Sequence, residues 1–235
     1  MSLKKHLFFA TVFIMAILIS AFSHFKNSKR LVKKVMVNFE TQGAQFLSDS
    51  LVDKLLIQNK GGLPWKAKDS LALNMLETLL ENNPYVDNAE VYHFQQGILG
   101  VIIQEKSAVV RIQGADQYYL DKAGNQFPIS NKHTPKVPLY MGTLEEEQKE
   151  DLLSLIDHID KDPFLRNELA SIHYRSNSYF LDLRSYGFEV EIGMMRRIGE
   201  KLSKLKVFCA YHDNHRLKRE YTLINLKFKN QVVGS

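Results

Sequence analysis

An uninterrupted apolar run lies close to the N-terminus of this chain. Residues 7–25 read LFFATVFIMAILISAFSHF and contain no Lys, Arg, Asp or Glu. As an α-helix rising about 1.5 Å per residue, this run extends roughly 28 Å, close to the thickness of a bilayer core, about 30 Å. We therefore predict a transmembrane helix over residues 7–25 that contacts membrane lipid, preceded by a short cytoplasmic tail over residues 1–6.

A cleaved signal peptide is the alternative interpretation of the same run. Lys4 and Lys5 would form its basic start, and Ala21-Phe22-Ser23 resembles a cleavage site. A retained anchor is favoured because the run is long for the apolar part of a signal peptide. The bulky Phe22 also fits a cleavage site poorly.

The positive charge of the chain is concentrated in its N-terminal arm. The protein has 235 residues and a formal net charge of +5, with 31 Lys and Arg against 26 Asp and Glu. Residues 1–39 hold seven of the basic residues and no acidic one, so residues 40–235 have a net charge of −2. A nucleic-acid-binding protein carries its basic residues across a domain face, so we expect no nucleic-acid partner.

The same charges leave the orientation of the anchor open. Five basic residues follow the apolar run within ten positions, whereas two precede it. This count alone would place the C-terminal body in the cytoplasm. However, a six-residue tail is easily kept inside, and large domains are translocated largely regardless of their charge.

Residues 26–112 are predicted to form a juxtamembrane segment and a small α+β domain. The patterns follow one another as strand 34–39, helix 45–58, a helix capped by Asp69 that stops before Pro84, strand 86–94, a turn at 95–97 and strand 98–105. The resulting order is β-α-α-β-β, in which two helices cover one face of a three-strand sheet.

The end of this domain resembles a POTRA domain. The resemblance rests on Asn83-Pro84-Tyr85-Val86, Ala89-Glu90-Val91, Gly97-Ile98-Leu99 and Ile102-Ile103-Gln104-Glu105-Lys106. POTRA domains are non-enzymatic docking modules found outside the cytoplasmic membrane. The resemblance therefore implies that the body of the chain lies outside that membrane.

Residues 113–235 are predicted to form a β-rich domain with two helices and a C-terminal edge strand. The patterns are a strand–turn–strand unit around 123–124, helix 145–158, strands 171–174, 179–183 and 188–192, helix 196–210 and a final strand 221–233. Residues 224–229 alternate apolar and polar side chains, so one face of the final strand should be buried and the other wet.

Both ends of this domain resemble the FtsQ/DivIB family of bacterial cell-division proteins. Residues 118–128 read YYLDKAGNQFP and residues 221–233 read YTLINLKFKNQVV. Asn225, Lys227 and Phe228 stand where that family often has Asp, Arg and Tyr. The resemblance implies a single-pass, non-catalytic scaffold of the inner (cytoplasmic) membrane, with its C-terminal body in the periplasm at the division septum. It also implies that the scaffold recruits and links the small bitopic division proteins FtsB and FtsL.

The final strand is the predicted docking element. An edge strand presents unpaired N–H and C=O groups to which another chain can add a strand. The residues alone favour a core strand without a partner, whereas the family resemblance implies docking, with Phe228 in the docking surface. Lys227 and Lys229 would then add specificity for an acidic partner segment. The predicted partner-binding residues are Ile224, Asn225, Leu226, Lys227, Phe228, Lys229, Asn230, Gln231 and Val232.

No sequence pattern demands an enzyme. His212 and His215 form an HxxH that would bind zinc only with a third ligand, and a solvated loop is the simpler interpretation. Phosphate-binding glycine motifs and G-x-S-x-G do not occur. We expect no catalytic residue, cofactor, metal or small-molecule substrate. Two alternatives stay open: an exported POTRA-containing accessory of protein transport, and an exported metal-dependent enzyme that uses His212 and His215.

Overall fold

The chain folds as a mixed α+β protein, as predicted. The computed structural model describes residues 2–28, 32, 34–40, 46–58, 70–94, 98–215 and 220–235. The chain divides into two compact units, residues 1–106 and residues 107–235. The first unit holds a three-strand sheet and the second a nine-strand sheet.

The apolar run lies within the first helix, α1 (Ser2–Ser28). Its described side chains, at positions 8, 9 and 11–23, are all exposed. Residues 7–25 are therefore helical, as predicted. Within the described ranges, however, no helix combines the length and the apolar character that a membrane crossing requires, so the transmembrane assignment is not confirmed.

The rest of the first unit has the predicted β-α-α-β-β order. Its elements are β1 (Lys34–Phe39), α2 (Asp49–Gln58), α3 (Ser70–Glu81), β2 (Val86–Phe94) and β3 (Ile98–Glu105). β3 lies at the centre of the sheet, parallel to β1 and antiparallel to β2. The predicted turn at 95–97, the cap Asp69 and the predicted helix start at Gln45 lie outside the described residues.

One buried carboxylate fixes the chain before α2. Glu105 is 2% exposed, and its Oε1 accepts a hydrogen bond from the Leu47 backbone N–H at 2.6 Å. The helical side chains Val52, Leu56 and Leu76 are fully buried in the same core. Burying these apolar faces of α2 and α3 against the sheet is the main stabilising contribution to this unit.

The second unit is built on a nine-strand sheet with the order β12-β11-β10-β9-β8-β7-β4-β5-β6. Its elements are β4 (Ala108–Gln113), β5 (Gln117–Asp121), β6 (Gln126–Pro128), β7 (Leu139–Met141), α4 (Glu146–Asp160), α5 (Pro163–Glu168), β8 (Leu169–Arg175), β9 (Ser178–Leu183), β10 (Glu189–Gly193), α6 (Ile198–His215), β11 (Leu223–Asn225) and β12 (Val233–Gly234). β4 belongs to this sheet, so the predicted boundary between residues 112 and 113 falls inside a strand.

The described part of this unit has three helices instead of the predicted two. The additional helix, α5, begins at Pro163, between the predicted helix 145–158 and the predicted strand 171–174. Asp162 precedes it, and its Oδ1 accepts hydrogen bonds from the N–H groups of Phe164 (3.0 Å) and Leu165 (3.2 Å). Proline is well suited to a first helical position because the N–H that it lacks has no partner there.

The core of the second unit lies between the sheet and its two long helices, α4 and α6. Leu152, Leu155 and Leu205 are fully buried in one cluster with strand side chains of β8 and β9. Tyr140 lies at the same interface, and its hydroxyl donates to Gln148 Oε1 at 2.8 Å. Burial raises the pKa of Tyr140 to about 12, so the hydroxyl stays neutral and available as a donor at ordinary pH.

The predicted final strand over 221–233 is wrong in its length. The chain pairs with the sheet over the three residues of β11, leaves it at Leu226, and returns as the two-residue β12, antiparallel to β11. A turn at 228–230 separates the two strands. Asn230 adopts a left-handed conformation there, with φ 61°, which Asn tolerates better than most residues.

Candidate docking surface

The strand β11 near the C-terminus is paired with a neighbouring strand on each side. Ile224 lies opposite Val190 of β10 on one side and opposite Gly234 of β12 on the other. β11 is therefore an inner strand, and β12 is the edge strand. The edge of the sheet therefore lies at Val233 and Gly234, after the predicted partner-binding residues 224–232, because the chain folds back and pairs with its own strand.

Two of the predicted partner-binding residues belong to the core. Ile224 and Leu226 are 0% exposed and pack in the same cluster as Leu205 of α6. Side chains in such a position stabilise the domain and present no surface to a partner.

Asn225 and Lys227 are held by a buried carboxylate of β10. Glu191 is 8% exposed. Its Oε2 accepts from Asn225 Nδ2 at 2.7 Å, and its Oε1 accepts from Lys227 Nζ at 2.6 Å. The charge of Lys227 is therefore already paired within the domain. Its contribution is to fix the path of the chain after β11. Lys227 and Lys229 are both exposed, and Lys227 is the one that pairs with Glu191.

Lys204 of α6 holds the loop that follows. Its Nζ donates to the backbone carbonyls of Phe228 at 2.7 Å, Leu226 at 3.2 Å and Gln231 at 3.4 Å. One ammonium group with three donors therefore satisfies three carbonyls of a segment without regular structure. The loop is thereby fixed, and Phe228 points outward with 47% of its surface exposed.

An apolar groove of about 440 Å³ lies between α6 and this loop. Val207 and Tyr211 form its helical side and expose 71% and 48% of their surface. The groove is lined by Ser203, Lys204, Val207, Phe208, Tyr211, Asn230, Gln231 and Val232. Val232 leads directly into the edge strand β12, so the groove and the edge are continuous. We call Val207, Tyr211, Phe228, Val232 and β12 together the C-terminal surface.

Asn230, Gln231 and Val232 are the predicted residues that line this groove. The contribution of α6 was not predicted, because the predicted helix 196–210 ends before Tyr211, whereas α6 continues to His215. Val207 and Tyr211 are four positions apart and therefore lie on one face of a helix. Two large apolar side chains at this spacing, Val207 within the predicted helix and Tyr211 directly after it, are the signal that could have indicated the groove.

His212 lies in an aromatic cluster and not in the predicted solvated loop. Residues 212–215 belong to α6. The His212 ring has its centroid 5.8 Å from that of Tyr186, 5.7 Å from Phe188 and 6.2 Å from Phe208, and the side chain of His215 lies outside the described residues. Among the described side chains, no group of three or more His, Cys, Asp or Glu is placed to hold a metal ion.

Comparison with known proteins identifies the second unit. The model of the family described as FtsQ/DivIB, C-terminal related, matches residues 107–235. No protein of curated function matches the chain. The assignment is broader than the FtsQ/DivIB membership that the motifs suggest, and it supports a link to cell division without giving a role. Because the match covers more than half of the sequence, the chain belongs to the family of proteins related to the FtsQ/DivIB C-terminal domain.

Proposed function

We propose that this chain is a non-catalytic scaffold of the bacterial division complex. In this proposal it recruits and links the bitopic proteins FtsB and FtsL through its C-terminal surface. The observation that carries the proposal is the edge strand β12 beside an apolar groove, in a domain of a family related to FtsQ/DivIB. An open edge and an adjacent apolar recess are what an extended partner segment needs for strand addition.

The partner segment would be held mainly by its side chains. β12 has two residues, so strand addition there supplies few backbone hydrogen bonds. The groove between Val207, Tyr211 and Val232 accepts an apolar anchor residue, which is the kind of contact that dominates binding energy. Lys229 is exposed beside this surface. Its charge favours an acidic partner segment and acts mainly on specificity and association rate.

Phe228→Ala tests the proposal at a single exposed side chain. We expect the variant to bind the soluble domain of the FtsB-like protein of the same organism about tenfold more weakly, because truncating an aromatic anchor removes its buried area from the complex. Titration calorimetry measures the affinity, and a thermal melt should show unchanged folding.

The matched control for this test is Phe94→Ala. Phe94 lies on β2 of the first unit and is 51% exposed, against 47% for Phe228, so the two variants remove the same ring from similar exposure. Equal affinities for Phe228→Ala and the unchanged chain, with both folded, would take Phe228 out of the docking surface.

The location of the chain is a further part of the proposal. We infer that α1 attaches the chain to the cytoplasmic membrane and that the body lies on its outer side. The helix carries no charged residue over positions 7–25. It exposes large apolar side chains such as Phe13 (68%) and Leu18 (63%). Exposed apolar surface of this extent is typical of a segment that lipid or a partner covers. The POTRA-like motifs support the outer side.

Fractionation of cells that produce the full chain tests this attachment. We expect the chain in the membrane fraction, and we expect Ile14→Lys combined with Leu18→Lys to move it to the soluble fraction, because two charges on the apolar helix oppose insertion. Alkaline phosphatase fused after residue 235 should be active, since it folds only outside the cytoplasm. A soluble unaltered chain would contradict the attachment, and an inactive membrane-bound fusion would contradict the orientation.

A further inference from the structure

A second groove on the 107–235 unit is strongly basic. It has a volume of about 950 Å³ and lies between the loop 134–138, the strands β7, β8 and β9, and the end of α5. Four cationic side chains line it, namely Arg111, Lys136, Arg166 and Arg184. We call this recess the basic groove. It shares no lining residue with the C-terminal surface.

Among the described residues, the cations of the basic groove are not held in close ion pairs, although Arg166 interacts electrostatically with Asp160. Among the residues that the structure describes, none of the four forms an ion pair within 4.0 Å. Arg111 donates from Nη2 to Gln117 Oε1 at 2.9 Å, and its buried Nε has no hydrogen-bond partner among the described residues. A carboxylate bound beside the guanidinium group in the groove would stabilise its positive charge.

Among the described residues, Asp182 is the carboxylate that lines the groove, and it already has partners of its own. Its Oδ2 accepts from Ser171 Oγ at 2.5 Å and lies 2.5 Å from His173 Nε2. These three residue types do not form a catalytic triad, because Asp182 contacts the same imidazole nitrogen that faces Ser171 at 3.3 Å. The serine hydroxyl therefore donates to the carboxylate and is not activated by the imidazole. The chemistry of the site is binding of an anion.

The apolar part of the lining identifies the kind of anion. Val137, Leu139 and Met141 line the groove together with the four cations, and Met141 is 37% exposed. A phosphate-rich polymer or a lipid headgroup would use the cations and leave this apolar wall uncovered. An extended peptide that alternates acidic and apolar side chains would satisfy both. Guanidinium groups also match carboxylates through two parallel hydrogen bonds.

We propose that the basic groove binds an acidic, partly apolar peptide segment of a partner protein. β7 is paired on both sides, with β4 and β8, so the peptide is recognised through its side chains and not by strand addition. Partner recognition here is independent of the C-terminal surface. The domain would then have two docking sites, one for an apolar anchor at the edge of the sheet and one for an acidic segment.

A titration with a defined probe tests the basic groove. The probe is a short, end-capped, fluorescently labelled peptide of alternating Glu and Leu, and the full-length chain is titrated into it while anisotropy is recorded. We expect Arg166→Ala combined with Arg184→Ala to weaken binding at least about tenfold, because each lost charged hydrogen bond has an effect of this order. Asp182→Asn should strengthen binding severalfold, because it removes the like charge.

Two controls make the outcome decisive. Lys149→Ala combined with Lys161→Ala removes one cation of α4 and the cation directly after it, neither of which lines the basic groove, and should leave binding unchanged. A peptide of alternating Lys and Leu should not bind. If the arginine variant melts at the unaltered temperature and binds the Glu–Leu peptide as tightly as the unaltered chain, the proposal is overturned. Arginine-dependent binding of inorganic phosphate or anionic vesicles without peptide binding would also overturn it.

Discussion

Ile224→Ala is expected to lower the free energy of unfolding of the 107–235 unit by about 2–4 kcal/mol, the range for removing a fully buried branched side chain. Ile224 is 0% exposed and lies in the main core cluster with Leu205 of α6. Its strand is paired on both sides, by β10 and by β12, so the surrounding structure has little freedom to close the cavity. Chemical denaturation of the full chain, followed through the tyrosines of the second unit, measures the change.

Comparison of Ile224→Ala with Phe228→Ala distinguishes a core position from a docking position. Phe228→Ala removes a larger side chain four positions later, but from a site that is 47% exposed. Its effect on stability should therefore stay within about 0.5 kcal/mol, as is usual for surface positions. A stability loss below about 1 kcal/mol for Ile224→Ala would mean that the end of the chain is not part of the core. It would support the exposed edge strand that the sequence pattern predicts.

The first unit could be predicted closely because its patterns are local. The bounds of β1, β2 and β3 agree with the predicted strands 34–39, 86–94 and 98–105. Each strand is long, and the helices between them show a clear helical period. Elements of this kind carry their own signal, so no distant contact is needed to find them.

The C-terminal segment could not be predicted as well, because distant residues decide its path. Apolar and polar side chains alternate over residues 224–229, and the apolar Ile224 and Leu226 are buried as this pattern predicts. The pattern continues past the end of β11, however, where the chain is no longer a strand. The loop after Leu226 is fixed by Lys204, more than twenty positions earlier in the chain, and by Glu191 of β10. The alternation shows which side chains are apolar. It does not show which backbone groups are hydrogen-bonded to residues distant in the sequence.

The short parallel strand β7 could not be predicted for the same reason. Its three residues follow Pro138 and lie before the predicted helix 145–158, in a stretch for which no strand is predicted. The strand exists because β4 and β8 both offer it a parallel partner. Both grooves depend on such arrangements: the loop before β7 lines the basic groove, and the loop after β11 lines the apolar groove. The sequence shows which polar and apolar residues are present, but only the folded structure shows that they lie together in one groove.

Val207→Asp is expected to weaken binding of the FtsB-like soluble domain by roughly 100-fold, the largest effect on affinity among these variants. Val207 is 71% exposed on α6 and lines the apolar groove, so the substitution should leave the fold of the free chain intact. On docking, the new carboxylate would be buried against an apolar anchor, which is strongly unfavourable. The ammonium of Lys204, which also lines the groove, is already hydrogen-bonded to three backbone carbonyls. An acidic partner segment would add like-charge repulsion.

Titration calorimetry with Val207→Asp and Val207→Ser separates these two contributions. The serine variant removes the apolar contact without adding charge, so it should lose less affinity than the aspartate variant. Met75→Asp is the matched control, because Met75 is 61% exposed on α3 of the first unit and receives the same charge outside the C-terminal surface. If Val207→Asp binds as tightly as Met75→Asp, the apolar groove is not where the partner docks. The edge strand β12 would then have to bind the partner without it.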